Sequence, residues 1–265
     1  MNICFIGTGN MAGAIIRGLS KEKSFSVYGY DLSDSALNVL KEEAGLTPVK
    51  STKKLIELAD VLVLSVKPNV LPNVLDEYKE EIAKKDPLVI SIAAGKNIEF
   101  IENYLTSSRI VRVMPNINAR ARASTTSYCV NGNVTKTDCA TVEKIFKKVG
   151  SIIKVTEKEL EILTVLSSTS IAYTYLYIEA LASAALKAGL PKALALEIAA
   201  DSVLGSAKMI LQEDIHPAAL IDMVCSPGGT TIEGIASLKE TGFEASVRKA
   251  FDAAYEKGEK IKKGI

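Results

Sequence analysis

A short apolar strand, Asn2 to Ile6, runs straight into the turn Gly7-Thr8-Gly9-Asn10-Met11-Ala12-Gly13 and on into a helical run, Ala14 to Leu19. No other feature limits the fold so tightly. A turn of the form G-x-G-x-x-A between a first strand and a helix is the fingerprint of a dinucleotide-binding sheet. Gly7 permits the tight turn, Gly9 lets a pyrophosphate approach the backbone, and Ala12 keeps the helix close to the strand. Thr8, Asn10 and Met11 complete the turn. The alternative is a glycine turn without a ligand, and the surrounding pattern weighs against it.

That pattern is an alternation. Up to about residue 155, β-rich runs (Ser26 to Tyr30, Val61 to Val66, Leu88 to Ile92, Ile110 to Met114, Thr125 to Val130, Ile152 to Val155) alternate with amphipathic helical stretches. Such a chain builds a mostly parallel sheet covered on both faces. After Glu157, Ala, Leu, Glu and Lys dominate, and Gly189-Leu190-Pro191, His216-Pro217 and Gly242 punctuate helices. The expected fold class is α/β: an N-terminal Rossmann-type doubly wound sheet, residues 1–156, followed by an all-helical domain, residues 157–265. The stretch Glu157 to Ala188 is apolar on almost every side, which suits a helix surrounded by others. A helical unit of this size is expected to complete its core with a second subunit. The lysine-rich tail, Lys257 to Lys263, reads as a solvated helix end.

Asp31 ends the second strand, 22 residues beyond Gly9, where an acidic side chain accepts hydrogen bonds from the adenosine ribose. An aspartate there repels a 2′-phosphate, and no arginine lies between Tyr30 and Leu40 to offset it. The cofactor is therefore NADPH or NADH with a tilt toward NADH, although Ser33 and nearby backbone could still hold a phosphate. A helix cap is the other reading of Asp31. Val66-Lys67-Pro68 and Ala93-Ala94-Gly95 follow two further strands at the carboxyl edge of the sheet, where small residues leave room for a flat nicotinamide ring. Lys67 is a candidate cation, but Pro68 holds its backbone extended and its side chain can simply face solvent.

Composition removes several function classes. With a net charge of +1, nothing points to nucleic acid. The longest uncharged stretch, Ile162 to Ile178, has 17 residues, short of the roughly 20 apolar residues that span a bilayer. No signal peptide is indicated, so a cytoplasmic location is expected. Cys4, Cys129, Cys139 and Cys225 show no metal-ligand spacing, and His216 is the single histidine. Metal sites built on histidine and Ser-His-Asp chemistry fall away, and no metal is expected.

A second site is written in the run Asp222 to Gly234, where Ser226-Pro227-Gly228-Gly229 makes a tight turn and Thr230 and Thr231 open the next helix. Helix-opening N–H groups directed into such a turn suit a carboxylate. A plainer reading takes Thr230 and Glu233 as a T-x-x-E capping box.

Together these segments resemble the pyrroline-5-carboxylate reductase family, which reduces a cyclic imine to proline with NAD(P)H. The resemblance rests on Gly7 to Gly13, Val66-Lys67-Pro68, Ala93-Ala94-Gly95, Met114-Pro115-Asn116, Ile178-Glu179-Ala180-Leu181 and Asp222 to Gly234. It implies a Rossmann domain, a helical domain interlocked into a homodimer, and dimers assembled into larger rings. It implies further that Ser226 and the N–H groups of Gly229, Thr230 and Thr231 hold the substrate carboxylate, that Thr231 is catalytic and faces the imine nitrogen, and that Asn116 contacts substrate.

Two segments depart from the family. Ser167-Ser168-Thr169-Ser170-Ile171-Ala172-Tyr173 stands where the family reads S-G-S-G-P-A-Y, and Ile117-Asn118-Ala119, with Arg120 and Arg122, replaces T-P-A and smaller residues. These changes leave room for a different cyclic imino acid, or for a non-catalytic dinucleotide-binding homologue. A β-hydroxyacid dehydrogenase needs a Lys with an Asn one turn away in the helical half. Asn133 is the last asparagine of the chain, and no tyrosine lies in a Y-x-x-x-K motif.

Overall fold

The computed structural model describes residues 1–262, with side chains through Lys260. Lys263, in the lysine-rich tail, lies outside the described residues. Two compact units are present, residues 1–167 and the described residues from Ser168 onward.

The first unit is built on one eight-stranded sheet: β1 (Asn2–Ile6), β2 (Ser26–Tyr30), β3 (Thr47–Pro48), β4 (Val61–Leu64), β5 (Leu88–Ser91), β6 (Ile110–Met114), β7 (Ser124–Val130) and β8 (Gly150–Lys154). Its order is β3-β2-β1-β4-β5-β6-β7-β8. All pairings are parallel except that of β6 with β7, where Val111 faces Val130 and Met114 faces Ser127. The two-residue β3 has too little apolar periodicity to be read from sequence. Chain direction across the sheet reverses between β1 and β4, the switch point where open α/β sheets take ligands.

Successive strand residues bury on opposite faces. Ile3 and Phe5 join α1 (Asn10–Leu19), α2 (Asp34–Ala44) and α6 (Lys136–Phe146) in one core. Cys4 and Ile6 join α3 (Thr52–Leu58), α4 (Leu71–Lys85) and α5 (Ile98–Glu102) in the other. Strands buried on both sides explain the near-continuous apolar runs of the sequence. Burial pushes the Cys4 and Cys129 thiols up to about 12, so both are inert core side chains.

Helix α7 (Glu157–Lys187) starts in the first unit. Glu157 Oε1 accepts from Arg112 Nη1 at 2.9 Å and from the Ile98 N–H at 2.8 Å, and Leu160 is fully buried in the second core. Those bonds and that burial explain why the compact first unit extends to Ser167 rather than stopping before the helix.

The second unit holds the rest of α7 with α8 (Lys192–Glu213), α9 (Pro217–Val224), α10 (Thr230–Glu240) and α11 (Phe243–Lys262). Gly189, at φ 103°, and Pro191 separate the first two, as glycine and proline punctuation does. Tyr173 Oη donates to the Ala250 carbonyl at 3.0 Å, joining α7 to α11. Among its described residues the only buried hydrophobics are Ala182, Ala195 and Ala199, while Leu176 is 71% and Leu211 84% exposed. Three alanines make a small core for a bundle of this size. The apolar surface of α7 expected from sequence is present, and in a single chain it is largely uncovered.

Candidate nucleotide and anion sites

Gly7 has φ 91°, and a Cβ there would lie 2.9 Å from the Ser65 carbonyl oxygen. Only glycine fits. Its N–H donates to the Tyr30 carbonyl at 2.8 Å, and Ser65 Oγ donates to the carbonyls of Ile6 at 3.0 Å and Gly7 at 2.7 Å. The turn is thereby fixed to the ends of β2 and β4. Ser65 was not singled out from sequence, though a hydroxyl directly behind an apolar strand was its signal.

Gly9 is the N-cap of α1, with no side-chain cap bond and no acidic residue in the first turn. A Cβ on Gly9 would meet nothing within 4 Å. The helix therefore opens with unspent N–H groups behind a cleared approach, the arrangement an anionic phosphate requires. Ala12 is buried against the sheet. A cavity of about 300 Å³ adjoins Thr8, Gly9, Asn10 and Gly13 between α1 and α2. These residues fit a dinucleotide.

Asp31 is not a helix cap. The cap of α2 is Ser33, whose Oγ accepts from the Ala36 N–H at 3.3 Å. Asp31 Oδ2 instead accepts from the Thr8 N–H at 2.6 Å and the Thr8 hydroxyl at 3.0 Å, and Oδ1 accepts from the Ser33 N–H at 2.9 Å. The carboxylate thus stands at the rim of the glycine turn.

Val66 is half-buried and Lys67 exposed. The Lys67 carbonyl accepts from the N–H groups of Val70 and Leu71, so Lys67-Pro68 is the bend that starts α4. Beyond β5, Ala93 is buried while Ala94 and Gly95 are exposed, Gly95 at φ 72°. Each of these residues lies at the carboxyl edge of the sheet.

Asn116 is 5% exposed, and its side chain is already engaged. Nδ2 donates to the carbonyls of Ser167 at 3.1 Å and Thr125 at 3.4 Å, and Oδ1 accepts from the Asn118 N–H at 3.1 Å. Its own N–H donates to Ser124 Oγ. Asn116 caps the 3-10 helix η1 (Ile117–Ala121) and, within the first unit, ties it to Ser167 of α7. The amide expected from sequence to contact substrate thus has protein partners for both its oxygen and its nitrogen.

In the second unit the Ser226 carbonyl accepts from the Gly229 N–H at 3.0 Å, and Gly228 takes φ 67°. A Cβ on Gly229 would collide with Ser226 Oγ, so glycine is what lets that hydroxyl lean over the opening of α10. The Thr230–Glu233 capping box does not form: Gly229 is the N-cap, no side chain caps the helix, and Thr230 is already helical. The Gly229 N–H, expected from sequence to meet the anion, donates inside the turn. Ser226 Oγ and the N–H groups of Thr230 and Thr231 remain, with the exposed Thr231 hydroxyl beside them.

Among the described residues no group of three His, Cys, Asp or Glu side chains is placed to hold a metal, and no helix is long and apolar enough to cross a membrane.

Comparison with known proteins returns the same two halves. A family profile described as pyrroline-5-carboxylate reductase dimerisation matches residues 157–261, and one described as NADP oxidoreductase, coenzyme F420-dependent, matches residues 2–95. The chain is 40% identical to the pyrroline-5-carboxylate reductase of Escherichia coli (strain K12), over 98% of both chains. Among solved structures it resembles a pyrroline-5-carboxylate reductase from Coxiella burnetii at TM-score 0.91 and 35% identity, covering 98% of this chain and 97% of that one. It also resembles Plasmodium falciparum pyrroline carboxylate reductase with NADP bound, at TM-score 0.85 and 32% identity, covering 97% of each chain.

Proposed function

The chain belongs to the pyrroline-5-carboxylate reductase family, and from that premise we propose which of its residues carry out the reduction of 1-pyrroline-5-carboxylate to proline. It is an NAD(P)H-dependent oxidoreductase acting on a C=N bond.

The α10 turn receives the substrate carboxylate. Ser226 Oγ and the N–H groups of Thr230 and Thr231 supply the donors, and the positive end of the helix adds to them. Gly229 takes part by keeping the Ser226 hydroxyl in place. The observation that carries this reading is the helix opening without a cap, beside a hydroxyl that a side chain at Gly229 would displace. Thr231 donates a hydrogen bond to the imine nitrogen or relays a water proton to it. Its own hydroxyl is too weak an acid to be the ultimate proton source near neutral pH.

The turn Gly7 to Ala12 holds the dinucleotide pyrophosphate, with Val66 to Pro68 and Ala93 to Gly95 along the nicotinamide half and Asp31 and Ser33 at the adenosine ribose. When bound, the dinucleotide supplies the hydride that reduces the imine carbon. Fixing the imine by its carboxylate supplies orientation, which is worth several powers of ten in rate. NADH is the better cofactor, because the Asp31 carboxylate opposes a 2′-phosphate.

The helical half is a dimerisation domain and the chain forms a homo-oligomer. We assign the functional boundary to residues 156 and 157, the dimer to the exposed apolar faces of the helical domain, and a ring of dimers to the larger assembly. The protein is placed in the cytoplasm.

The deciding experiment follows the absorbance of NADH and NADPH on addition of pyrroline-5-carboxylate, with proline measured as product. Turnover with NADH ahead of NADPH is expected. Binding of dinucleotide without turnover would leave a sensor, and turnover of a six-membered imino acid alone would move the substrate.

A further inference from the structure

No acidic residue lies between Glu102 and Asp138, although Arg109, Arg112, Arg120, Arg122 and Lys136 fall in that stretch. Of the five arginines of the first unit, three are held by carboxylates drawn from elsewhere. Arg17 pairs with Glu43 at 2.6 Å, Arg109 with Asp138 at 2.8 Å, and Arg112 with Glu157 at 2.9 Å. Arg120 and Arg122 are exposed, and no hydrogen bond or ion pair holds either guanidinium group among the described residues.

These two lie on and just behind η1, and η1 packs directly against α1, the helix whose N-terminus opens the glycine turn. Ala119, next to Arg120 in sequence, is buried in the same core as Ala12 and Ile15. Asn116 fixes the start of η1 through its bonds to Asn118, Thr125 and Ser167. The segment is therefore rigidly seated while its two guanidinium groups are free.

Arg122 also adopts a left-handed backbone, φ 56° and ψ 31°, where its N–H donates to the carbonyls of Ala119 and Asn118. A branched-free but bulky side chain is disfavoured there relative to glycine or asparagine. A residue that sits in a strained conformation without a partner in the protein is a candidate for a partner outside it. The glycine turn itself supplies N–H groups but no free cation, since Arg17 is committed to Glu43.

We propose that Arg120 and Arg122 form a clamp for the pyrophosphate of the dinucleotide, neutralising from the η1 side the charge that the α1 N-terminus receives from the other. Guanidinium forks match phosphate oxygens bidentately. This rests on the assignment of the glycine turn to a dinucleotide. Arg122 carries the larger share, because its backbone is held in place by two hydrogen bonds.

The test measures NADH affinity by nicotinamide fluorescence at low and high salt in the wild type, Arg120→Gln, Arg122→Asn and the double variant. Asparagine is at ease in the left-handed region, so Arg122→Asn removes the cation without disturbing the fold, which thermal unfolding checks. Arg122→Asn is expected to weaken NADH binding about tenfold, and the double variant more, with a flatter salt dependence. Inhibition by ADP-ribose should weaken in parallel, while the KM for pyrroline-5-carboxylate and kcat at saturating NADH stay within about twofold. Unchanged NADH affinity and salt slope overturn the clamp while leaving the nucleotide site intact. A rise in the imino-acid KM in place of the NADH effect also overturns it, by moving the cations to the substrate. A wild type that binds neither dinucleotide overturns the assignment of the glycine turn itself, and the clamp with it.

Discussion

Asp31 and Thr8 are clasped at the mouth of the nucleotide turn, the carboxylate accepting the Thr8 N–H at 2.6 Å and the Thr8 hydroxyl at 3.0 Å. One side chain thus shapes the turn and places a negative charge where a 2′-phosphate would come. The two effects are separable. Asp31→Asn keeps an oxygen for the Thr8 N–H but removes the charge. Two unit charges 4 Å apart interact by about 4 kcal/mol near a protein surface and about 1 in water. The variant should shift the NADPH to NADH ratio of kcat/KM toward NADPH by at least about tenfold, measured by steady-state kinetics with both cofactors. An unmoved ratio would mean that the clasp is structural only.

Ser226 and Thr231 are assigned different tasks, and their variants should separate in kinetics. Removing a hydrogen bond to a charged group costs about 1.5–3 kcal/mol, so Ser226→Ala should raise the imino-acid KM about tenfold or more with kcat nearly unchanged. Gly229→Ala should imitate it, because the new methyl displaces the Ser226 hydroxyl. Thr231→Val should instead lower kcat by about one to two powers of ten. Identical profiles for the two single variants would count against the division of roles.

The first half of the fold was legible because its two signals agree: glycines at 7 and 9 fix one turn, and apolar runs at regular spacing fix the parallel sheet around it. Position-specific hydrogen bonding was not legible. Thr230 and Glu233 carry the letters of a capping box, but Gly229 takes the cap position, and sequence spacing cannot say which residue leaves the helix. The family resemblance put Asn116 at the substrate, yet its partners Thr125 and Ser167 lie 9 and 51 residues away in sequence. Arg112 and Glu157, which tie β6 to α7, had no local signal at all.

Asp138 gives a pH dependence of known sign. Burial alone raises its carboxyl, but bonds from the Thr135 hydroxyl and N–H and the Arg109 guanidinium outweigh burial and hold it below the usual carboxylate range. A carboxyl held low in the folded state stabilises the fold above its unfolded value of about 3.9, and the contribution is lost as pH falls through the lower folded value. Asp138→Asn should therefore be about 1–2 kcal/mol less stable than the wild type at pH 7. The gap should narrow below about pH 4. Urea unfolding at pH 7, 5 and 3 reads the difference directly; a gap independent of pH would remove the charge from the explanation.

Asn116 separates a positioning role from a substrate contact. Its Nδ2 faces two carbonyl oxygens and its Oδ1 an N–H, so the orientation of the amide is set by its partners. Asn116→Asp is nearly isosteric but turns a carboxylate oxygen toward the carbonyls of Thr125 and Ser167 in a buried position. Burying an unpaired charge against acceptors costs more than deleting the side chain, so Asp should destabilise beyond the about 1–3 kcal/mol expected of Asn116→Ala. Protonation restores one donor, and the Asp variant should regain stability relative to Ala as the pH is lowered. Ser167 sharpens the test. Unbroken α-helical geometry through this stretch aims the Ile171 N–H at the same carbonyl, so that acceptor keeps a helical partner when Asn116 is cut back to Ala. A direct substrate ligand would add a kinetic effect to the lost bonds: Asn116→Ala would raise the imino-acid KM while the folded fraction stays complete, and Asp would repel the substrate carboxylate. Thermal unfolding and steady-state kinetics of the two variants, from pH 5 to 8, distinguish these outcomes.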